Sequence, residues 1–170
     1  MRRILSGWLL AAAGLAGLVG LAGCDEQRAA RLEEGVATEV EVRQQFGEPV
    51  TVITEADGSR IFEYPRQPEG WTNVVITIGP DGKMTSLRQL LTEANFAKVT
   101  PGMDKLQVRK LLGRHAKATP FVLKDEEVWD WRYRPDPNTS RIFSVVFGKD
   151  GRVLRTQTGD DPRDTMSGGK

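Results

Sequence analysis

The stretch Gly102-Met103-Asp104-Lys105-Leu106-Gln107-Val108-Arg109-Lys110-Leu111-Leu112-Gly113 decides the fold, because residues 35–47 already carry its pattern. In both places a glycine opens the segment, a Val-Arg pair follows, and a bulky apolar residue before glycine closes it. Apolar residues three and four positions apart indicate an amphipathic helix, and a glycine after the last of them ends it. Asp104 can cap the second helix at its amino end. The pattern predicts helices over 37–46 and 105–112.

The similarity continues into the strands that follow these helices. Phe62-Glu63-Tyr64 recurs as Trp129-Asp130-Trp131, 67 residues later. Residues 74–78 with a following Asp-Gly recur as residues 143–147 with a following Asp-Gly. Side chains that alternate with period two predict strands, and Asp-Gly between two such runs predicts a hairpin. A repeat that keeps its order and spacing predicts two copies of one structural unit.

The predicted fold class is α+β with two tandem units. Each unit is expected to be a helix pair packed on one face of a three-stranded antiparallel sheet. The first unit is predicted over 32–91 and the second over 92–158, with a short helix at 92–98. Residues 159–170 are polar and rich in glycine and proline, so they are predicted to form a disordered tail.

The amino terminus has the layout of an export signal. Two arginines precede an uncharged apolar run that ends in small residues. The order Leu21-Ala22-Gly23-Cys24 resembles the lipobox, which is cut before a lipidated cysteine. Residues 1–23 are therefore predicted to be a cleaved lipoprotein signal peptide and residues 24–31 a tether. Cys24 is expected to carry a covalent diacylglycerol and an N-acyl chain.

An uncleaved membrane anchor is the alternative interpretation of the same segment. Residues 4–23 approach the length of about 20 apolar residues that crosses a bilayer. Several glycines in this run weaken it as a stable helix. The lipobox order therefore favours cleavage and lipidation.

The composition of the mature chain excludes several classes of protein. Removal of residues 1–23 leaves 147 residues, with 22 basic and 23 acidic side chains. This balance does not suit a protein that holds nucleic acid through bulk electrostatics. Cys24 is the only cysteine, which excludes a disulfide framework. Because no later apolar run reaches membrane-spanning length, the mature body is expected to be soluble and tethered.

Groups that could carry catalysis are sparse. His115 is the only histidine, and it follows a predicted helix end, where a surface or loop-packing role is expected. Motifs of zinc proteases, serine hydrolases and phosphate-binding loops are absent. Carboxylate clusters at 33–34 and 125–127 are typical of solvated helix ends and loops. The sequence predicts a protein that is not an enzyme, without catalytic residues, a metal site or a cofactor beyond the acyl chains.

Large rings recur at equivalent strand positions, and they are interpreted as core because buried aromatic rings remove most area from water. These rings are Phe62, Tyr64, Trp129, Trp131 and Tyr133. The alternative is an exposed binding platform. Both interpretations place the rings on one face of each sheet, since strand side chains alternate between faces.

Partner-binding residues are predicted at two other places. Trp71 lies in a loop without a counterpart ring in the second unit, so it suits an interface or a membrane contact, or else covers a sheet edge. The sheet face opposite the core is expected to be mildly polar and to take up a protein partner, with an ordinary solvated face as the alternative. It would carry Glu63, Val75, Thr77, Asp130, Arg132, Ser144 and Val146.

The second unit resembles the BamE (SmpA/OmlA) lipoprotein family from about Asn95 to Leu154, and the first unit does so more weakly from Leu32 to Leu87. The residues that carry the resemblance are Asn95-Phe96, Pro101-Gly102-Met103, Gln107-Val108-Arg109, Leu111-Leu112-Gly113, Val128-Trp129-Asp130-Trp131 and Phe143-Ser144-Val145-Val146-Phe147. Family members usually carry one unit, and a proline usually follows the Leu-Gly pair where this chain has His115.

The resemblance implies a lipoprotein that assists assembly of β-barrel proteins in the outer membrane, through contacts with the assembly machinery. The tandem arrangement is also similar to the β-lactamase inhibitor proteins, which implies a periplasmic inhibitor or binding lipoprotein as an alternative. An envelope-integrity lipoprotein is a third. The family implies the periplasmic face of the outer membrane, whereas Asp25 directly after the cysteine fits inner-membrane retention.

Overall fold

The structure, a computed structural model, describes residues 25–163, apart from the side chain of Glu26. The predicted signal peptide, the predicted lipid site at Cys24 and residues 164–170 of the predicted tail lie outside the described residues.

Two short helices precede a four-stranded antiparallel sheet, and this order occurs twice. The first set is α1 Asp25–Ala29, α2 Glu39–Phe46, β1 Thr51–Thr54, β2 Arg60–Pro65, β3 Asn73–Ile78 and β4 Met84–Gln89. The second set is α3 Glu93–Phe96, α4 Lys105–Leu112, β5 Lys117–Phe121, β6 Glu126–Asp136, β7 Thr139–Phe147 and β8 Val153–Asp160. The strand orders are β1-β2-β3-β4 and β5-β6-β7-β8. The α+β class and the repeat agree with the sequence.

The prediction of three strands in each sheet is wrong. β1 and β5 are the additional strands, and each lies at an edge of its sheet. Most of their side chains are exposed, so neither strand has the buried alternation that period-two analysis detects. The helices also differ from the prediction, since α1 lies inside the predicted tether and only α2 falls within residues 32–91.

Paired side-chain caps explain where the two longer helices begin. Thr38 accepts a hydrogen bond from the Glu41 backbone N–H, and the Glu41 carboxylate accepts one from the Thr38 backbone N–H at 2.8 Å. Asp104 and Gln107 form the same reciprocal pair before α4. Such boxes satisfy backbone donors that the first helical turn leaves unpaired. The cap predicted at Asp104 is confirmed.

Two apolar cores lie between these helices and the sheets, which confirms the interpretation of the aromatic rings as core. Phe62 and Tyr64 pack with Val42 and Phe46 of α2 in the first core. Cross-strand pairing places Trp131 opposite Phe143 in the second core. The second core also contains Leu91, Phe96, Val99, Val108, Leu112, Tyr133, Val145, Phe147 and Val153. Trp129 is half-buried at its border.

Equivalent ion pairs connect each longer helix to its sheet, but with reversed polarity. In the first unit Glu39 of α2 pairs with Arg60 of β2, and in the second Lys105 of α4 pairs with Glu127 of β6. The cation of each pair also lies near an aromatic ring, which is the buried Phe62 in the first unit and the half-buried Trp129 in the second. The Arg60 guanidinium carbon is 5.9 Å from the centroid of Phe62, and the Lys105 Nζ is 5.4 Å from that of Trp129.

The last strand continues beyond the predicted end of the second unit. Gly159 and Asp160 pair with Ile142 and Arg141 of β7, and Asp161 is 1% exposed. Residues 159–161 therefore do not behave as the start of a disordered tail. Their polar composition suggested a tail, yet cross-strand hydrogen bonds and a buried ion pair hold them in place.

Substitution of Trp131 tests the second core. Trp131 is 0% exposed, and its Nε1 donates to the Gly113 carbonyl at 3.2 Å. Trp131→Ala removes this bond and leaves a large cavity, so we expect the free energy of unfolding to fall by about 3–5 kcal/mol in urea titration. Phe121→Ala is the control, because that ring is 45% exposed, and its effect is expected to be small. A fully stable Trp131 variant would contradict the assignment to the core.

Candidate binding surfaces

Trp71 is packed against the second unit instead of standing free in its loop. The guanidinium carbon of Arg134 lies 3.5 Å from its ring centroid, and that of Arg132 lies 5.2 Å away. The indole is half-buried, and its Nε1 has no hydrogen-bond partner within residues 25–163. Stacking of arginine on tryptophan is favourable in proportion to its desolvation. Trp71 therefore packs on β6, as the sheet-edge interpretation expects. Because the ring is only half-buried, its contact with a partner or a membrane stays a prediction.

Arg132 is buried, which corrects its predicted position on an open sheet face. It is 6% exposed, and its Nε donates to the Asp161 carboxylate at 2.5 Å. Its Nη1 donates to the carbonyls of Pro68 and Glu69, both at 3.1 Å. The β2–β3 loop and the carboxyl-terminal segment cover this part of the face, and the strand alternation of β6 could not reveal either cover.

Gln67 takes the place of a missing strand at the edge of β6. Pairing between β5 and β6 ends at Asp130, whose carbonyl accepts from the Ala116 N–H at 2.7 Å. Two residues further on, the Gln67 Nε2 donates to the Arg132 carbonyl at 2.7 Å, and its Oε1 accepts from the Arg132 N–H at 3.2 Å. A side-chain amide thus forms both bonds that a neighbouring strand would form. A lone glutamine in a loop gives no sequence signal for this role.

Asn73 forms a second connection between the units. Its Nδ2 donates to the carbonyls of Leu112 and Arg114, at 2.7 and 2.8 Å, where α4 ends. Gly113 lies between these acceptors with φ +72°, and a Cβ there would come within 3.0 Å of the Asn73 amide nitrogen. The glycine predicted as a helix end therefore also permits close approach of the first unit.

Glu63 and Asp130 occupy equivalent strand positions but have different partners. The Glu63 carboxylate lies 3.6 Å from the Arg109 guanidinium of α4, in the other unit. Asp130 accepts from the Ser144 hydroxyl at 2.6 Å, within its own sheet. Three of the four predicted partner-binding residues, Glu63, Trp71 and Arg132, thus contact the other unit of the same chain. Their partner-binding roles stay predictions.

His115 packs between tryptophan rings, in line with the loop-packing role expected for it. Its ring centroid is 4.4 Å from that of Trp129, and burial lowers its pKa. The adjacent Glu127 accepts from the Trp129 Nε1 at 2.6 Å and pairs with Lys105. These contacts lower the pKa of the Glu127 carboxyl, which keeps it ionised. The residues of this cluster therefore contact one another.

An exposed apolar tip was not identified from the sequence. It consists of Phe121, Val122 and Leu123, which are 45%, 81% and 103% exposed at the turn between β5 and β6. The equivalent turn of the first unit is Glu55-Ala56-Asp57-Gly58, which is polar. The fold therefore does not require apolar residues at this turn. Contiguous exposed apolar side chains of this kind mark interaction sites.

Residues 25–163 contain no group of three His, Cys, Asp or Glu side chains that could hold a metal ion. In the same part of the chain, no helix has the length and apolar character needed to span a membrane.

The junction at Arg132 yields a test of the inter-unit contacts. Arg132→Ala leaves the 1% exposed Asp161 carboxylate buried without its cation, so we expect a loss of about 3–5 kcal/mol of unfolding free energy in urea titration. Arg141→Ala is a matched control, because the neighbouring Arg141–Asp160 pair is exposed and such pairs contribute about 0–1 kcal/mol. Equal effects of the two substitutions would contradict a buried junction.

Comparison with known proteins adds family information to this geometry. No curated protein matches the chain. Among solved structures, a DUF4309 family protein from Bacillus subtilis is 19% identical, covering 79% of this chain and 86% of that chain with a TM-score of 0.33. A putative β-lactamase inhibitor protein from Streptococcus mutans is 11% identical, covering 73% of this chain and 83% of that chain with a TM-score of 0.31.

A family model gives the more specific result. Residues 89–157 match the outer membrane protein assembly factor BamE domain. The matched range runs from the end of β4 through α3, α4 and nearly all of the second sheet. The weaker resemblance of residues 32–87 lies outside the matched range and stays a prediction. Residues 89–157 are therefore similar to the BamE domain, in the unit for which the sequence resemblance predicted it.

Proposed function

We propose that this protein is a lipid-anchored accessory factor that assists assembly of β-barrel proteins in the outer membrane. The match of residues 89–157 to the BamE domain carries the proposal. The factor acts by binding proteins and faces the periplasm. The side-chain contacts of His115, Glu127 and Asp130 support binding over catalysis, since each of these residues contacts neighbouring side chains.

The lipid anchor is proposed at Cys24. Its support is the order Leu21-Ala22-Gly23-Cys24 after an apolar run, together with the membrane association that the BamE description implies. Two or more acyl chains would hold the body permanently, because anchoring gains about 0.8 kcal/mol per buried methylene. Retention in the inner membrane, which Asp25 suggested, is the alternative location.

Replacement of the cysteine tests the anchor. Cys24→Ser removes the sulfur that would receive the diacylglycerol, so we expect an unprocessed precursor without acyl chains. Gel mobility and mass spectrometry of the protein from membranes measure both properties. A variant that is processed to the mature length would refute the lipoprotein assignment.

The apolar tip is the surface that we propose for protein binding. Phe121, Val122 and Leu123 stand in solvent within the matched range, whereas the polar turn of the first unit lacks them. The surface at this turn is lined by Phe121, Val122, Leu123 and Lys124. It is therefore apolar, with one cation beside it. Burial of exposed apolar side chains against a partner is favourable by about 1.5–3 kcal/mol for each fully buried Val, Leu or Phe.

Affinity capture from detergent-solubilised envelopes tests this surface and the function together. We expect the wild-type chain to co-purify with the barrel-assembly complex. The double variant Val122→Ser, Leu123→Ser should lose about 2 kcal/mol or more of binding, roughly 30-fold in affinity, because two apolar side chains are no longer buried against the partner. Both side chains are exposed, so the fold is expected to persist.

The matched control is Val36→Ser, Val50→Ser, which alters two first-unit valines that are 58% and 65% exposed. Capture by this control should equal that of the wild type. Absence of the assembly complex from the wild-type capture would refute the proposed function. Equal losses in the two double variants would refute the tip as the contact.

A further inference from the structure

Asp25 is held by a clasp of side chains from the first unit. Its carboxylate accepts from the Thr72 hydroxyl at 2.5 Å and from the Arg66 Nη2 at 3.1 Å. Further donors are the Arg66 Nε and the Arg28 Nη1, each at 3.3 Å. The side chain is only 9% exposed. Asp25 is thus hydrogen-bonded to the β2–β3 loop, although it falls within residues 24–31, the predicted tether.

The clasp determines where the acyl chains would leave the body. This step rests on the proposed lipidation of Cys24. Neighbouring Cα atoms are about 3.8 Å apart, so the anchor residue is within one residue of a fixed point on the fold. A flexible tether of the predicted length, 24–31, would let the body turn freely above the bilayer. A clasped Asp25 shortens this tether to the Cys24 linkage alone, which limits how far the β2–β3 loop can turn away from the bilayer.

We propose that the Asp25 clasp fixes the orientation of the body on the lipid surface, with the β2–β3 loop facing the bilayer. The membrane-facing end comprises residues 66–72 and the side chains packed on them. Trp71 belongs to it and is stacked on Arg134. Tryptophan and arginine are both suited to the water–lipid boundary, because each combines an apolar body with a polar group.

The same orientation directs the apolar tip away from the bilayer. The loop contacts β6 at Arg132, whereas the tip precedes Glu126, the first residue of that strand. Six residues of strand span about 20 Å at about 3.3 Å per residue. The clasp therefore separates a lipid-facing end from a protein-facing end of one body.

Fluorescence quenching on vesicles tests this orientation. The lipidated full-length protein is reconstituted into phosphatidylcholine vesicles that contain lipids spin-labelled at the headgroup. Because lipidation occupies the Cys24 sulfur, a cysteine introduced by Glu69→Cys or Leu123→Cys is the single free thiol for a bimane fluorophore. Glu69 and Leu123 are both exposed, at the loop and at the tip. We expect strong quenching at position 69 and little at position 123.

Variants of the clasp test whether Asp25 is responsible for the orientation. Asp25→Ala and Thr72→Val should bring the quenching at the two positions together, since the body is then free to turn. Asp57→Ala is the matched control, because among residues 25–163 Asp57 accepts local hydrogen bonds from Ser59 on the β1–β2 turn, and it should leave the difference intact.

Three results would overturn the proposal. Equal quenching at the two positions in the unaltered background, with the protein still floating with vesicles, refutes the orientation and leaves the anchor standing. An unchanged difference in both clasp variants refutes the role of Asp25. Failure of the unaltered protein to float refutes the lipid anchor and, with it, the orientation.

Discussion

The arrangement of the two units depends on one buried cation. Arg132 lies on the second sheet, yet its guanidinium bonds to the loop of the first unit and to Asp161 beyond the last strand. A buried charge requires partners on every side, because desolvation without them costs several kcal/mol. The loop, the sheet and the chain end must therefore be in place together. Gln67 and Asn73 add bonds that hold the same two units in the same relative position.

The repeat, the helix caps and the core rings could be predicted from the sequence because each depends on local spacing. Trp131 and Tyr133 follow from alternation, and Asp104 follows from its place before a helix. The edge strands could not be predicted, since β5 buries almost nothing and contains Pro120. The predicted binding surface differed most from the structure. Arg132 has the alternation of an outward residue, and only contacts with residues far along the chain bury it.

Differences between the two units indicate where function has been added to a shared fold. The turn before β2 is polar and the turn before β6 is apolar, although both close the same kind of hairpin. Arg43 pairs within its own unit, whereas its equivalent Arg109 reaches Glu63 across the junction. The turn before β6, where the fold does not require apolar residues, is the surface proposed for binding.

The reversed ion pairs have a consequence for how the chain folds. Tandem copies of one unit risk exchange, in which the helix of one copy docks on the sheet of the other. Exchange would bring Glu39 against Glu127 and Lys105 against Arg60, so each swapped dock would place like charges together. Only the correct assembly joins opposite charges at both sites. The reversed polarity therefore favours docking of each helix on the sheet of its own unit.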